Sequence, residues 1–310
     1  MTPAVTIIMS TFNRSHFILE TLLSIQNQTY SEFECLIIDD GGTDNTLEVI
    51  TPILNKDLRF KFLKRTDNYK KGLPGCRNYG IDLAQGDYII FFDDDDIVHP
   101  QNLEISLATL KKQKTDFCHY QKLSFDNEVP CFEEVKVNEK QSLSLDVIHD
   151  VVSQKIGFAS CTVLWKKECF INNRFQETLQ YAEEWECYIR IISQGFSGLQ
   201  IDTVLYFNRK HAQSNTGEFF QNNPVRRTSQ ADAVVLVVQN LKEKQLLTTS
   251  LIQYLITFSI GFKEYNLFNR ILKILDLGLL GRFKWKLFYI SYPLRLPIYK
   301  VKKKIKRIKK

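Results

Sequence analysis

Short apolar runs that alternate with helical patterns over the N-terminal third of the sequence constrain the fold of this chain more than any other feature. The runs at 5–9, 35–38, 59–63 and 88–92 have the length of buried strands, and apolar residues recur at helical spacing between them. Ser15 is expected to cap the first of these helices. The alternation predicts an α/β fold in which helices cover both faces of a mostly parallel sheet. Ligands bind beyond the carboxyl ends of the strands in such sheets, so the strand ends are the first place to look for function.

The remainder of the chain mixes strands and helices and then becomes helical. Strands are predicted at 116–123, 161–165 and 199–207, and a helix is predicted at 183–193. From about 224 to 280 the apolar residues recur at helical spacing, which predicts a C-terminal helical region.

The formal charge of +6 is unevenly distributed along the 310 residues. The segment 282–310 contains twelve basic residues and no acidic ones, so the segment 1–281 has a net charge of −6. An acidic body argues against a nucleic-acid-binding domain, and we expect no nucleic-acid partner. Aromatic residues such as Phe283 and Trp285 lie among the cations of 282–310, and this mixture is typical of a segment at an anionic membrane surface. A solvated tail and a tail that binds nucleic acid by itself are the alternatives.

Three general features of the sequence indicate the cellular compartment of the protein. The seven cysteines are scattered and form no Cys-x-x-Cys pair, which favours free thiols in a reducing cytoplasm. The N-terminal segment lacks a signal-peptide pattern. No run of about 20 apolar residues is present, so we expect no membrane-spanning helix.

Two strand ends are acidic, and the stronger case is Asp93–Asp96, four consecutive aspartates after the apolar run at 88–92. Adjacent carboxylates repel one another, and a hard divalent cation with oxygen ligands relieves that repulsion. Mg²⁺ typically takes one or two carboxylates and completes its shell with substrate phosphates. The cluster therefore indicates a metal that holds a diphosphate, whereas a solvated acidic turn is the alternative. The second acidic end, 39–44, includes Gly41 and Gly42, which allow the backbone to approach a ligand closely.

Five segments of the chain read VTIIMSTFNR, FECLIIDDGGTDNT, GLPGCRNYGIDLAQGDYIIFFDDDDIVHP, EEWECYIRIISQGF and FNRKHAQSNTG. In spelling, order and spacing they resemble the family 2 glycosyltransferases, which are inverting enzymes that use nucleotide-diphosphosugars. The resemblance covers about residues 3–217. It implies a GT-A fold, a Rossmann-like mixed and mostly parallel sheet with helices on both faces. It also implies Mn²⁺ or Mg²⁺ as the cofactor.

The resemblance implies a set of residues that bind the donor nucleotide. They are Thr11, Phe12, Asn13, Asp39, Arg77, Asp93 and Asp94. Phe12 replaces the usual Tyr of the family, Gly42 replaces the usual Ser, and Asp94 falls at a variable position of the family's acidic motif. UDP is the nucleotide common in the family, although Thr11, Asp39 and Arg77 leave GDP and dTDP open.

The same resemblance assigns the metal and the diphosphate. Asp95 and Asp96 would ligate the metal together with His211, and Arg209 would neutralise the departing diphosphate. A surface-loop histidine is the alternative interpretation of His211.

The pair Glu183-Glu184 stands where the family has a Glu-Asp pair whose Asp is the catalytic base. Glu184 is therefore the predicted base, with Glu183 beside it, although its carboxylate lies one methylene further from the backbone. Geometry decides the competence of a base first and pKa second. An acidic first turn that suits the helix dipole is the alternative.

Together these features predict three parts, namely a glycosyltransferase domain at 1–217, a helical region at 218–281 and a basic, aromatic membrane-associating tail at 282–310. We expect an inverting, metal-dependent enzyme that moves a sugar, as a hexosyl- or N-acetylhexosaminyl-transferase, from a UDP-sugar to a hydroxyl of a glycan acceptor. A lipid-linked acceptor would suit the tail, with the enzyme peripheral on the cytoplasmic, inner face of the membrane and acting in polysaccharide biosynthesis. The alternatives are a non-catalytic subunit that binds sugar nucleotides and a nucleotidyltransferase.

Overall fold

The computed structural model of the chain describes residues 3–126, 128, 131–132, 135–210, 215–262, 265–294 and 297. The chain divides into two compact units, Met1–Ala233 and Val234–Lys310, and the division falls within one helix. The three-part division at residues 217 and 281 stays a prediction.

The first unit is built on one nine-stranded sheet. Its strands are β1 (Val5–Thr11), β2 (Phe33–Asp39), β3 (Phe60–Lys64), β4 (Tyr88–Phe92), β5 (Ile97–Val98), β6 (Phe117–Phe125), β7 (Glu139–Leu143), β8 (Val163–Lys166) and β9 (Gly198–Arg209). Their order in the sheet is β3-β2-β1-β4-β8-β6-β9-β5, with β7 on β9. The first four strands are mutually parallel, whereas β8 runs antiparallel to both of its neighbours. The predicted mixed, mostly parallel α/β sheet is confirmed.

Helices lie on both faces of this sheet. The helices of the first unit are α1 (Ile18–Gln26), α2 (Thr46–Lys56), α3 (Leu73–Leu83), α4 (Asn102–Gln113), α5 (Ile148–Val152), α6 (Glu183–Ser193), α7 (Asn215–Phe220) and the start of α8 (Pro224–Glu243). Successive strand residues point to opposite faces. Ile7 of β1 belongs to the core that α1, α2 and α4 share, whereas Ile8 faces α3. Gly80 permits that approach, because a Cβ there would lie 2.5 Å from the Ile8 side chain.

The first helix begins later than predicted. Its N-terminal cap is Phe17, which makes no side-chain cap hydrogen bond, so the prediction that Ser15 caps it is wrong. The Ser15 amide instead donates to Asp44 at 3.0 Å, which ties the start of α1 to the loop after β2.

The second unit is helical. It holds the rest of α8 with α9 (Thr249–Gly261), α10 (Tyr265–Leu275) and α11 (Leu279–Ile290). Thr248 caps α9 by accepting a hydrogen bond from the Leu251 amide. Among the described residues, no helix combines the length and the apolarity that a membrane crossing requires.

Candidate functional site

The strand register brings the two acidic strand ends to one edge of the sheet. Thr11 at the end of β1 pairs with Asp39 at the end of β2, and Met9 pairs with Phe92, the last residue of β4. The acidic turn that begins at Asp93 therefore follows directly beside the end of β1. A cleft of about 630 Å³ opens at this edge, and it is lined by the acidic turn, by α3 and by the start of α6.

Three of the four aspartates of the turn are largely withdrawn from water. Asp94, Asp95 and Asp96 are each less than a tenth exposed, whereas the side chain of Asp93 is 40% exposed. Burial raises the pKa of Asp94 to about 7, and the nearby charge of Asp95 adds to the effect. Burial likewise raises the pKa of Asp96 to about 8, with a contribution from Asp93. Burial and the neighbouring carboxylates thus disfavour the charged forms of Asp94 and Asp96.

This donor set fits a divalent cation. Among the described residues, oxygen atoms of Asp93 and Asp96 and the Sγ of Cys161 lie within 4.8 Å of one another. A bound cation would favour the ionised forms that burial and neighbouring carboxylates disfavour, and hard cations prefer carboxylate oxygens. The predicted ligands Asp95 and Asp96 lie in this turn, whereas His211 lies outside the described residues. The position of Cys161 beside these aspartates was not predicted, because nothing in the sequence distinguishes it from the other six scattered cysteines.

Arg14 is a cation beside the turn that the sequence analysis missed. Its Nε lies 3.5 Å from Asp94 and its Nη2 lies 3.8 Å from Asp95. The residue directly follows the Thr-Phe-Asn segment, but nothing in its spacing indicates that it faces an acidic turn so distant along the chain.

Arg77 links the acidic turn to the predicted catalytic pair. Its guanidinium is buried and lies 2.9 Å from Glu183, 3.4 Å from Glu184 and 3.9 Å from Asp93. Ser160 accepts a further hydrogen bond from it at 3.0 Å. The resemblance places Arg77 beside the nucleotide or the diphosphate, and this stays a prediction. Its contacts in the structure are with carboxylates at the floor of the cleft.

The two glutamates occupy different surroundings although they are adjacent in the chain. Glu183 is 5% exposed and forms the shorter ion pair with Arg77, whereas the Glu184 side chain is 30% exposed and lines the cleft. Removal from water raises the pKa of Glu184 to about 7, the charge of Glu183 adds to this, and Arg77 opposes it. A carboxylate with a pKa near 7 is suited to accept a proton at neutral pH.

The predicted donor residues near β1 and β2 divide into two groups. Thr11 and Phe12 line the cleft, and Phe12 is 44% exposed with the ammonium of Lys71 4.5 Å from its ring centre. Asn13 and Asp39 instead hold the loop after β2. The Asn13 side chain accepts from the Thr43 amide at 2.7 Å, and Asp39 accepts from the Gly42 amide at 2.9 Å.

Glycine at position 42 fits this arrangement closely. A Cβ there would lie 3.1 Å from the side-chain oxygens of both Asn13 and Asp39. Gly42, which replaces the family's usual Ser, therefore allows the loop after β2 to lie close to Asn13 and Asp39.

Arg209 lines the cleft, and its contacts fasten the acidic turn to β9. Its backbone amide donates to Asp96 at 2.7 Å, and its Nε donates to the Asp95 carbonyl at 3.0 Å. The guanidinium pairs with Glu20 and lies over the rings of Phe17 and Phe125. The residue predicted to neutralise the diphosphate is thus also engaged in holding the acidic turn.

Lys122 is a second cation of the cleft that the sequence analysis missed. It lies on β6, and neighbouring Cys161, followed by Asp93 and Glu184, raises its pKa. A single lysine in a strand gives no signal in the sequence, since its significance depends on which carboxylates the sheet brings near it.

Comparisons with known proteins agree on one family. Residues 6–156 match the model of "Glycosyl transferase family 2". An "Uncharacterized glycosyltransferase" of Haemophilus influenzae is 40% identical over 105 residues, which are 34% of this chain and 41% of that protein. The "UDP-Glc:alpha-D-GlcNAc-diphosphoundecaprenol beta-1,3-glucosyltransferase WfgD" of Escherichia coli is 36% identical over 115 residues, 37% of this chain and 44% of that protein. The matched part of this chain thus spans less than half the length of each of these curated relatives.

A solved structure supports the fold over nearly the whole chain. The crystal structure of S. aureus TarS 1–349 in complex with UDP-GlcNAc superposes with a TM-score of 0.64 at 20% identity. The match covers 93% of this chain and 80% of that one.

Proposed function

The chain belongs to glycosyl transferase family 2, and from that premise we propose that it moves a sugar from a nucleotide-diphosphosugar to a hydroxyl group of a glycan acceptor, with inversion at the anomeric carbon. The observation that supports this most is the position of Glu184, a partly exposed carboxylate with a pKa near 7, in the same cleft as the acidic turn.

Glu184 is the base in this proposal. It removes the proton of the acceptor hydroxyl while that oxygen attacks the anomeric carbon from the face opposite the diphosphate. The bond from the anomeric carbon to the diphosphate oxygen breaks in the same displacement. Glu183 serves as the counter-ion of Arg77 and keeps the start of α6 in place.

Asp93, Asp95 and Asp96 would hold Mn²⁺ or Mg²⁺. When bound, such an ion stabilises negative charge on the departing diphosphate. Arg14 and Lys122 add positive charge on the same side of the cleft. Thr11 and Phe12 would contact the nucleotide, for which UDP is the first choice, because the TarS complex contains UDP-GlcNAc.

The acceptor in this proposal is a lipid-linked glycan in cell-surface polysaccharide biosynthesis. The name of the E. coli relative includes a diphosphoundecaprenol acceptor, and the basic segment 282–310 suits an anionic membrane surface. The enzyme would then act as a peripheral protein on the cytoplasmic face of the membrane.

The test is Glu184→Gln, which keeps the size of the side chain and removes the base. We expect kcat to fall at least about a hundredfold, since general base catalysis contributes about 10²–10⁴-fold, while the KM for the donor changes little. Glu168→Gln is the matched control, because Glu168 is exposed and lies outside the cleft lining.

A screen of nucleotide sugars by nucleotide release, with and without Mn²⁺, identifies the donor. Wild-type turnover by Glu184→Gln would remove this residue from the mechanism. Binding of UDP without release from any nucleotide sugar would favour a non-catalytic sugar-nucleotide-binding subunit.

A further inference from the structure

Helix α11 packs by one side only. Trp285 is 7% exposed, and the ring of Tyr289 lies 4.3 Å from that of Phe268 on α10. The other side is apolar and exposed. Its residues, with their exposed fractions, are Leu279 (88%), Leu280 (88%), Phe283 (67%), Leu287 (55%) and Ile290 (74%).

These five residues form one continuous stripe, which we call the α11 stripe. At 3.6 residues per turn they fall within an arc of about 100° around the helix axis. Leu294, beyond the end of the helix, is also 81% exposed. Scattered exposed apolar residues are ordinary in proteins, whereas a contiguous apolar surface marks an interaction site.

Cations border the stripe on both sides. By helical geometry Lys284 falls just beyond one edge of the arc and Lys286 just beyond the other, and both are exposed. The sequence contains no acidic residue from 277 to 310 and twelve basic ones. An apolar face between rows of lysine is the arrangement of helices that lie in the plane of a membrane interface.

We propose that the α11 stripe inserts into the boundary between headgroups and acyl chains of an anionic bilayer, with Lys284 and Lys286 at the level of the lipid phosphates. This inference rests on the proposed lipid-linked acceptor and names the surface that would bring the chain to it. Charge complementarity distinguishes the bilayer from a second copy of the chain, because two such faces would bring two strongly basic segments together. A nucleic acid would match the charge but would leave the apolar stripe exposed to water.

The experiment measures binding of the full chain to vesicles of phosphatidylcholine with and without phosphatidylglycerol. We expect binding only to the anionic vesicles. The double variant Leu280→Glu/Phe283→Glu should bind them at least about a hundredfold more weakly, because it loses two apolar contacts and adds two repelled charges. Leu58→Glu is the matched control, since Leu58 is also 88% exposed but lies outside this helix, and it should bind as wild type.

The substituted side chains are exposed, so the fold should persist, and transfer to a water-soluble acceptor reports this directly. Retained transfer with lost vesicle binding supports the inference. Unchanged vesicle binding by the double variant overturns it, and so does equal binding of wild type to neutral vesicles. A stable dimer without lipid that the double variant dissociates would also overturn it. Failure of the proposed function would instead appear as absent transfer in the wild type.

Discussion

Glu183 and Glu184 offer a test of how neighbouring charge sets the strength of a base. The pKa of Glu184 is near 7, so transfer should rise about tenfold between pH 6 and pH 8 as the carboxylate loses its proton. Glu183 contributes to that elevated pKa. Glu183→Gln should therefore move the acidic limb of the pH profile to lower pH while keeping a hydrogen-bond acceptor for Arg77. The measurement is kcat/KM against pH, and a limb that stays in place or moves upward contradicts the assignment.

His119 should make folding sensitive to acid. It is 3% exposed and stacks on Phe158 at 4.6 Å between ring centres. Burial lowers its pKa from 6.5 to about 3. Below pH 6.5 the unfolded chain therefore binds a proton at His119, whereas the folded chain does not. The free energy of unfolding consequently decreases as the pH falls from 6.5 towards 3. At pH 5.5 the loss is about 1.4 kcal/mol.

Urea unfolding of wild type and His119→Gln at pH 7.5 and 5.5 measures this loss. The variant remains neutral at both values, so its free energy of unfolding should fall less than that of the wild type. Equal falls in the two proteins would show that other groups cause the acid sensitivity.

Individual site residues were predictable from the sequence where a motif contains them. The aspartates 93–96 and the pair Glu183-Glu184 stand in such motifs, and all of them line one cleft. Arg14, Lys122 and Cys161 have no such signal, because their significance depends on charges from other elements. The ion pairs of Arg77 with Glu183 and Glu184 have no signal in the sequence for the same reason, since only the folded chain brings α3 against α6.

At the scale of elements, α6 begins at a strained residue. Ala182 directly precedes Glu183 and has φ of 62°, in the left-handed region that costs an L-residue about 1–2 kcal/mol. Ala182→Gly should leave stability unchanged or raise it by up to about 1 kcal/mol, whereas Ala182→Val should lower it by at least about 1 kcal/mol. Urea unfolding of both variants gives the two signs, and a destabilised glycine variant would contradict the strain.

Transfer activity and stability should both depend on a divalent cation bound at the turn after β4. Removing metal with EDTA should abolish transfer, and Mn²⁺ or Mg²⁺ should restore it. Metal at a hundred times its Kd should also stabilise the fold by about 2.7 kcal/mol, seen as a rise in Tm. Asp95→Asn/Asp96→Asn should lose both effects, whereas Asp126→Asn, after β6, should keep them. Transfer that survives EDTA would contradict the assignment.

The elements with a clear apolar pattern were predictable from the sequence, and those without such a pattern were not. Strands β1 to β4 are apolar runs bounded by turns, and they lie where the sequence indicates. The two-residue β5 is too short for any periodicity. The sequence of β7, EKQSL, is polar and largely exposed, and its pairing with β9 gives it its strand conformation. The antiparallel direction of β8 results from its pairing with other strands, which the local sequence pattern does not encode.

At the scale of the whole molecule, charge is separated along the chain. The segment 1–281 has a net charge of −6, part of which lies in the acidic turn, and the segment 282–310 adds +12. The two parts would respond oppositely to an anionic surface. Attraction by the basic segment must therefore exceed repulsion of the acidic part, and salt should weaken binding to anionic vesicles because it screens exposed charge.

Truncation after Pro297 tests this balance, because it removes eight cations and changes the net charge from +6 to −2 while leaving α11 intact. Each cation near an anionic surface contributes up to about 1 kcal/mol. The truncated chain should therefore bind anionic vesicles at least about a hundredfold more weakly and with less dependence on salt. Its transfer to a water-soluble acceptor should remain unchanged, since the cleft lies within the unit Met1–Ala233. Vesicle binding equal to that of the full chain, with the same salt dependence, would assign the attraction to α11 alone.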